Sequence, residues 1–421
     1  MKKIQQLFDF IDESPTAFQA VENIEKTLEE KGFERLYEEK SWELLSGKSY
    51  YVTRNDSSVI AFSLPQKEWK GFHIVAAHCD SPAFKIKENA EMSVENAYVK
   101  LNTEKYGGMI LSTWLDRPLS VAGRIFTDGI EGIQSHRVNV KEDLLVIPNL
   151  AIHMQRELNN GYVYNPQKDM LPVFSSIEGK GELLTLVAKN AGVSKESILS
   201  HDLYLYVREK GHTVGLNGEW IMSPRLDDLQ CVYGAVESIK EAEPKEYIAV
   251  SAIFDNEEVG SDTRQGAGST FLRDVLEKIV CTIKGTSKGL QEYLSNSFLI
   301  SADNAHALHP NHTEKADPTN RPVLNGGIVI KHHAQQKYTT DAYSAACIKK
   351  YCKEIGIVCQ DFYNRSDMTG GSTLGNISIT QAAIPSVDIG LPQWAMHSAV
   401  ETAGRKDTED FIRLCSYFFA G

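Results

Sequence analysis

From Leu226 onward, apolar β-forming runs alternate with amphipathic helical ones, and that alternation restricts the fold more than any other feature. "LDDLQCVYGAVESIKEA" reads as a helix, "YIAVSAIF" as a strand and "TFLRDVLEKIV" as a helix. "SFLISA" and "GGIVIK" read as strands, "TDAYSAACIKKYCKEIG" as a helix and "IPSVDIG" as another strand. A strand that is apolar along its whole length must be covered on both faces, as parallel strands joined by crossover helices are. The pattern predicts a three-layer α/β/α sandwich around a mainly parallel sheet. The start of the chain fits the same frame. "SPTAFQAVENIEKTLEEKGF" reads as a helix capped by Ser14, with Pro15 at its first position and Gly32 closing it. "FHIVAAH" reads as a short buried strand.

The stretch from Met92 to Trp220 breaks this pattern. It holds alternating runs such as "VAGRIFTD" and "HDLYLYVRE", many turn signals, and helical periodicity only in "NLAIHMQRELNN". It reads as an inserted β-rich domain, residues 91–221, that splits a main domain made of residues 1–90 and 222–421. A chain of 421 residues is long enough for both.

Composition excludes some functions. A net charge of -12 argues against nucleic acid as a partner, because a phosphate backbone calls for a basic face. The seven cysteines are odd in number and form no CxxC pair, which predicts reduced thiols and a cytoplasmic protein. "MKKIQQLFDFIDESPTAFQ" gains acids and a proline too early to read as a signal peptide. No apolar run is long enough to span a bilayer, so no membrane partner is expected.

Five polar clusters fall at or just after the ends of apolar strands, or at a helix start. They are "AAHCDSP" with His78 and Asp80, "SPRLDDL" with Asp227 and Asp228, "FDNEEVGS" with Glu257 and Glu258, "ISADNAHALHP" with Asp303, His306 and His309, and "GLPQWAMHSAVE" with His397. Strand carboxyl ends are where open α/β sheets assemble their sites. Each cluster alone has an ordinary explanation: a helix-dipole acid, a turn cap or a core histidine. Five at once would leave many carboxylates without a counter-charge unless a cation joins them. Imidazole with carboxylate suits Zn²⁺, Mn²⁺ or Co²⁺, and a two-metal site needs one bridging carboxylate. Glu257 and Glu258 are adjacent, so they need not share a role.

These clusters resemble those of the M18 metallopeptidases, the aspartyl aminopeptidase family. The matching motifs are "HCDSP", "SPRLDDL", "DNEEVGS", "SADNAHALHPN", "GGIVIK" and "MHSAVE", with "STWLDRPLSVAGR" in the insert. They run in family order from His78 to Glu401. Cys79 and Asp228 depart from the family's usual residues, and "RSDMTGGST" is a variant loop. The resemblance implies two divalent ions, zinc by family habit, held by His78, Asp227, Glu258, Asp303 and His397, with Asp227 bridging. It implies Glu257 as general base and Asp80 as the carboxylate orienting His78. The substrate side would include Lys331, His306, Tyr338, Gly371 and, from a neighbouring subunit, His153; without the resemblance, His153 reads as a core or interface histidine in an apolar helix. The insert would be a dimerisation domain, and the dimers would assemble to a dodecamer. The implied function is removal of N-terminal residues from peptides, with acidic Asp or Glu favoured. The alternatives are a neutral-residue aminopeptidase, a di-metal carboxypeptidase or deacylase, and a non-catalytic assembly protein.

Overall fold

The computed structural model describes every residue except Met1, Glu131, Thr369, Ser372 and Ile379. Two helices, α1 (Lys2–Asp12) and α2 (Ala17–Glu30), lead into strands β1 (Glu34–Leu36), β2 (Ser49–Arg54), β3 (Ser58–Ser63) and β4 (Gly71–His78). Strands β5 (Ala83–Val94), β6 (Tyr98–Tyr106), β7 (Leu119–Gly129), β8 (Gly132–Asn139) and β9 (Val173–Ser176) follow. Helix α3 (Leu183–Ala191) and strand β10 (Ile198–Val207) come next. The chain continues through β11 (His212–Val214), β12 (Trp220–Ser223), α4 (Leu226–Ile239), β13 (Tyr247–Phe254), α5 (Phe271–Lys284) and α6 (Leu290–Ser295). Then come β14 (Phe298–Ala302), β15 (Ala305–His306), β16 (Ile328–His332), α7 (Ala342–Ile355), β17 (Cys359–Tyr363) and α8 (Leu374–Ser378). Strands β18 (Ser386–Gly390), β19 (Pro392–Trp394) and β20 (Glu401–Gly404) precede the last helix, α9 (Arg405–Ala420).

Nine strands form the largest sheet, in the order β1-β2-β3-β13-β4-β14-β18-β16-β17. The sheet is mixed. Its centre, β13-β4-β14-β18, is parallel. The β2–β3 pair is antiparallel because a short turn joins it, with Asn55 and Asp56 both at positive φ. Period-two alternation sends neighbouring side chains to two cores. Val75 and Ala77 pack with α1, α2, α4, α7 and α9, while Ile74 and Ala76 pack with α5, α6 and α8. Gly234 lets α4 and α9 close up, since a Cβ there would lie 2.3 Å from the Phe411 ring.

The six strands from 83 to 207 form a separate antiparallel sheet, in the order β8-β7-β10-β5-β6-β9, with its own apolar core. Gln19 of α2 reaches across and donates to the carbonyls of Gly123 (2.8 Å) and Val138 (3.1 Å). Arg124 of β7 donates to the Asn55 carbonyl and lies over the Phe18 ring. A third sheet, β11-β12-β20-β19-β15, caps one end.

Several local expectations change. Helix α2 starts at Ala17 with Thr16 as its extended N-cap. The Ser14 N–H bonds back to the Ile11 carbonyl, so Ser14 and Pro15 belong to the tight turn after α1. "NLAIHMQRELNN" is a turn followed by a short 3₁₀ segment, Arg156–Asn160. Most of its side chains are exposed, so its periodicity finds no surface to pack on. His153 is therefore an exposed turn residue and not a core histidine. Among the described residues, no helix is long and apolar enough to cross a membrane.

Candidate metal centre

Strands β13, β4 and β14 are neighbours and run parallel, so their carboxyl ends share one edge. His78 is the last residue of β4, Glu257 and Glu258 lie just beyond β13, and Asp303 follows β14. Asp227 comes from the first turn of α4, where Asp227 and Asp228 depart from helical geometry. His397 lies between β19 and β20. Five stretches far apart in sequence thus converge.

The donors form three overlapping groups: His78–Glu257–Glu258, and two that share Asp227. His78 Nε2 lies 3.5 Å from Asp227 Oδ1 and 3.9 Å from Asp303 Oδ1. His397 Nε2 lies 3.4 Å from Asp227 Oδ2 and 3.3 Å from Glu258 Oε2. Each trio, His78–Asp227–Asp303 and Asp227–Glu258–His397, brings its ligand atoms within 4.8 Å of one another. The two oxygens of Asp227 face opposite trios, as a bridging carboxylate requires.

Three features fit the residues to cations. Asp227 Oδ1 and Glu258 Oε1 are buried with no hydrogen-bond partner among the described residues. Both imidazoles use Nδ1 elsewhere, His78 toward the Asp80 carbonyl (3.1 Å) and His397 toward the Gly108 carbonyl (2.8 Å). With Nδ1–H donating, each Nε2 is left as a lone-pair donor. The electrostatics agree. Burial raises the Glu257 pKa to about 8 and the Glu258 pKa to about 7, against the pull of His78 on the first and His397 on the second. Packed acids of this kind need positive charge to ionise, and a dication supplies it.

The adjacent glutamates are separated by their turn. Asn256, at φ 63°, ends the strand direction, and Glu257–Val259 form one 3₁₀ turn. The Glu258 side chain is 3 % exposed and faces His397, while that of Glu257 is 16 % exposed, with Oε2 4.0 Å from His78 Nε2. Asp80 stands behind both. Its Oδ1 accepts the Glu257 N–H and its Oδ2 the Glu258 N–H, each at 3.1 Å. Its carboxylate is 3.4 Å from His78 Nδ1, farther than its own carbonyl.

The substrate-side expectations land in different settings. Lys331 is buried, with Nζ 3.1 Å from Asp303 Oδ2, 3.0 Å from the Asn304 carbonyl and 5.5 Å from the Tyr338 ring centre. Burial alone would lower its pKa, but Asp303 and Tyr338 push it above the usual lysine value. The His306 residue is exposed to solvent, and desolvation by surrounding atoms, followed by the Lys331 charge, holds its pKa down. Tyr338 is buried against Lys331, and Gly371 has open space where a Cβ would lie. Thr369 and Ser372 of the "RSDMTGGST" loop lie outside the described residues.

Two residues with evident roles escaped the sequence reading. Glu401, on β20, accepts the N–H groups of Asp227 (2.9 Å) and His397 (2.7 Å) and so ties two trio members together. Burial raises its pKa well above the usual value. Its only sequence signal is its place four residues after His397. Tyr106, at the end of β6, donates to Asp80 Oδ2 at 2.7 Å, and nothing near it in sequence indicates that contact.

The family model described as aminopeptidase I zinc metalloprotease (M18) matches residues 10–419. A probable M18 family aminopeptidase 2 of Clostridium acetobutylicum is 48% identical over 411 residues, covering 96% of this chain and 95% of the relative. Its counterpart in Pseudomonas aeruginosa strain UCBPP-PA14 is 38% identical over 424 residues, covering 99% and 97%. Among solved structures, the Ape4 and Nbr1 complex matches with a TM-score of 0.95 at 35% identity, covering 99% of this chain and 85% of that one. The mApe1 dodecamer of S. cerevisiae matches with a TM-score of 0.85 at 27% identity, covering 99% and 95%.

Proposed function

This chain belongs to the M18 family of zinc metalloproteases and is a metalloaminopeptidase with a site suited to two metal ions, and from that premise we propose how its residues divide the work. The observation that carries the proposal is Asp227, whose two oxygens face two histidines. His78 and Asp303 would hold one ion, His397 and Glu258 the other, and Asp227 both. We take the ions to be zinc, in keeping with the His-plus-carboxylate set. When bound, the ions would supply a water of lowered pKa and a polarised scissile carbonyl. Glu257, more exposed than Glu258 and with Oε2 4.0 Å from His78 Nε2, takes the proton of the attacking water and returns it to the leaving amine. Asp80 sets the backbone of both glutamates, and Glu401 sets Asp227 and His397.

Acidic N-terminal residues are the proposed preference. Lys331 has three N–H groups, two of them spent on Asp303 and Asn304, which leaves one to offer a substrate carboxylate. The second reading is a preference for neutral residues, favoured because Asp303 already meets the Lys331 charge. His306, Tyr338 and Gly371 would line the same side. The likeness to the mApe1 dodecamer supports a homo-oligomer, which we take to be dimeric through the 91–221 domain and then dodecameric. Exposed Leu150, Ile152 and Met154 offer that domain an apolar face, and a neighbour's site would then receive His153. Seven free cysteines suit a cytoplasmic location.

The test measures Asp-, Glu-, Leu- and Ala-terminated peptides on wild type and Lys331→Met, before and after chelation with metal analysis. Chelation should abolish activity, and zinc should restore it. Faster cleavage of Leu than of Asp by wild type would sink the acidic preference and leave the aminopeptidase standing.

A further inference from the structure

The segment leaving the six-stranded sheet runs along the metal centre, with contacts that the proposed roles leave unexplained. Tyr106 ends β6, and its ring packs edge-on against Tyr204 at 5.6 Å. Its hydroxyl donates to Asp80 Oδ2 at 2.7 Å and accepts from Asn256 Nδ2 at 2.8 Å. Asn256 immediately precedes the glutamate pair, and its Oδ1 accepts from Thr263 and Gln265. One hydroxyl therefore holds both the residue before the turn and the carboxylate behind it. Gly107 follows at φ 78°, where a Cβ would lie 3.2 Å from Glu258 Cβ. Gly108 then supplies the carbonyl that takes His397 Nδ1.

We propose that Tyr106 is a positioning residue for the Glu257–Glu258 turn, acting through Asp80 and Asn256, so that the six-stranded sheet aligns the proton-transfer carboxylate. The inference rests on the roles proposed for Glu257 and Glu258. Three donors on two oxygens fix the plane of the Asp80 carboxylate: the Glu257 N–H, the Glu258 N–H and the Tyr106 O–H. Without the hydroxyl, Oδ2 keeps one of its two donors and Asn256 loses an acceptor. Asp80 is buried, so solvent replaces neither readily. A carboxylate misaligned by a fraction of an ångström keeps its chemistry and loses rate.

Tyr106→Phe keeps the ring on Tyr204 and removes only the hydroxyl. It should lower kcat by roughly 10–100-fold, the usual cost of losing a partner behind a metal site. KM and the melting temperature should stay near wild type, and release of metal to a chromogenic chelator should quicken. Tyr204→Phe, on the neighbouring ring, should match wild type in every readout. Wild-type kcat with wild-type metal release in Tyr106→Phe overturns the inference, as does a fall in melting temperature with kcat intact. Failure of the underlying roles shows separately, as full activity in Glu257→Gln.

Discussion

The two large sheets meet at one site and contribute different things to it. The carboxyl edge of the nine-stranded sheet supplies His78, Glu258 and Asp303, α4 supplies Asp227, and the loop between β19 and β20 of the third sheet supplies His397. The six-stranded sheet supplies a hydroxyl from Tyr106 and a carbonyl from Gly108, neither of them a ligand atom. The first contribution is chemistry and the second is alignment. Donors can be grouped by residue type, whereas alignment needs only a correctly placed oxygen, which many residues provide.

The comparison breaks most sharply at the glutamates. Glu257→Gln should lose about 10²–10⁴-fold in kcat and keep its metals. Glu258→Gln should lose metal as well, because its carboxylate faces His397. Metal analysis beside kinetics checks both, and depletion in Glu257→Gln with full loading in Glu258→Gln would exchange the two roles.

Acid should act on both sheets next. His73 of β4 is stacked between Tyr247 and Phe418, with Nδ1 donating to the Phe418 carbonyl. Burial lowers its pKa from 6.5 to about 4. The unfolded chain binds that proton first, so stability is full above 6.5 and falls as pH drops toward 4, by roughly 3 kcal/mol. On the six-stranded sheet, burial works to raise the Asp202 pKa, but Lys85 and Arg124 overcome it and hold the pKa below 3.8. Its contribution is present above the unfolded carboxylate pKa and is lost only as pH falls through the lower, folded one. His201 of β10 is held below its usual value by burial as well, so hydrogen exchange on acidification should find the β4–α9 contacts and the β7–β10 pair both loosening. His73→Phe should abolish the first loosening and leave the second, and a variant that still loosens at β4–α9 would refute the assignment.

The smallest effect lies at the junction. Lys141, just after β8 of the six-stranded sheet, pairs with Glu13, and both side chains are 55% exposed. Lys141→Ala should cost less than about 1 kcal/mol and become neutral in high salt. A loss of several kcal/mol in denaturant melts would mean that surface charge, and not Gln19 and Arg124, joins the regions.

Whole-strand burial leaves a continuous apolar run, which made β4, β13, β14, β16 and β18 legible, while β1, β2, β3 and β17 of the same sheet went unread. The antiparallel β2–β3 pair was not legible as such, since orientation depends on the connection and not on the strand. Among the segments between the strands of the six-stranded sheet, "NLAIHMQRELNN" has helical spacing but no surface to pack on, while α3 (Leu183–Ala191) went unread. Lys331 was legible as a lysine at the site face, and its pairing with Asp303 was not.

Residue type and order determined by themselves which groups could bind a cation, because imidazoles and carboxylates carry their donor atoms wherever they are placed. They also determined that the five clusters lie near strand ends, since apolar runs announce where strands stop. Only the tertiary structure decided that Asp227 turns one oxygen to His78 and the other to His397. It alone placed Tyr106 and Glu401 behind the donors. The reason is range: strand and helix periodicity arises between residues a few positions apart, whereas Tyr106 meets Asn256 across 150 positions and Asp227 meets Glu401 across 174. Contacts over such distances leave no period in the chain and are set by how the sheets pack.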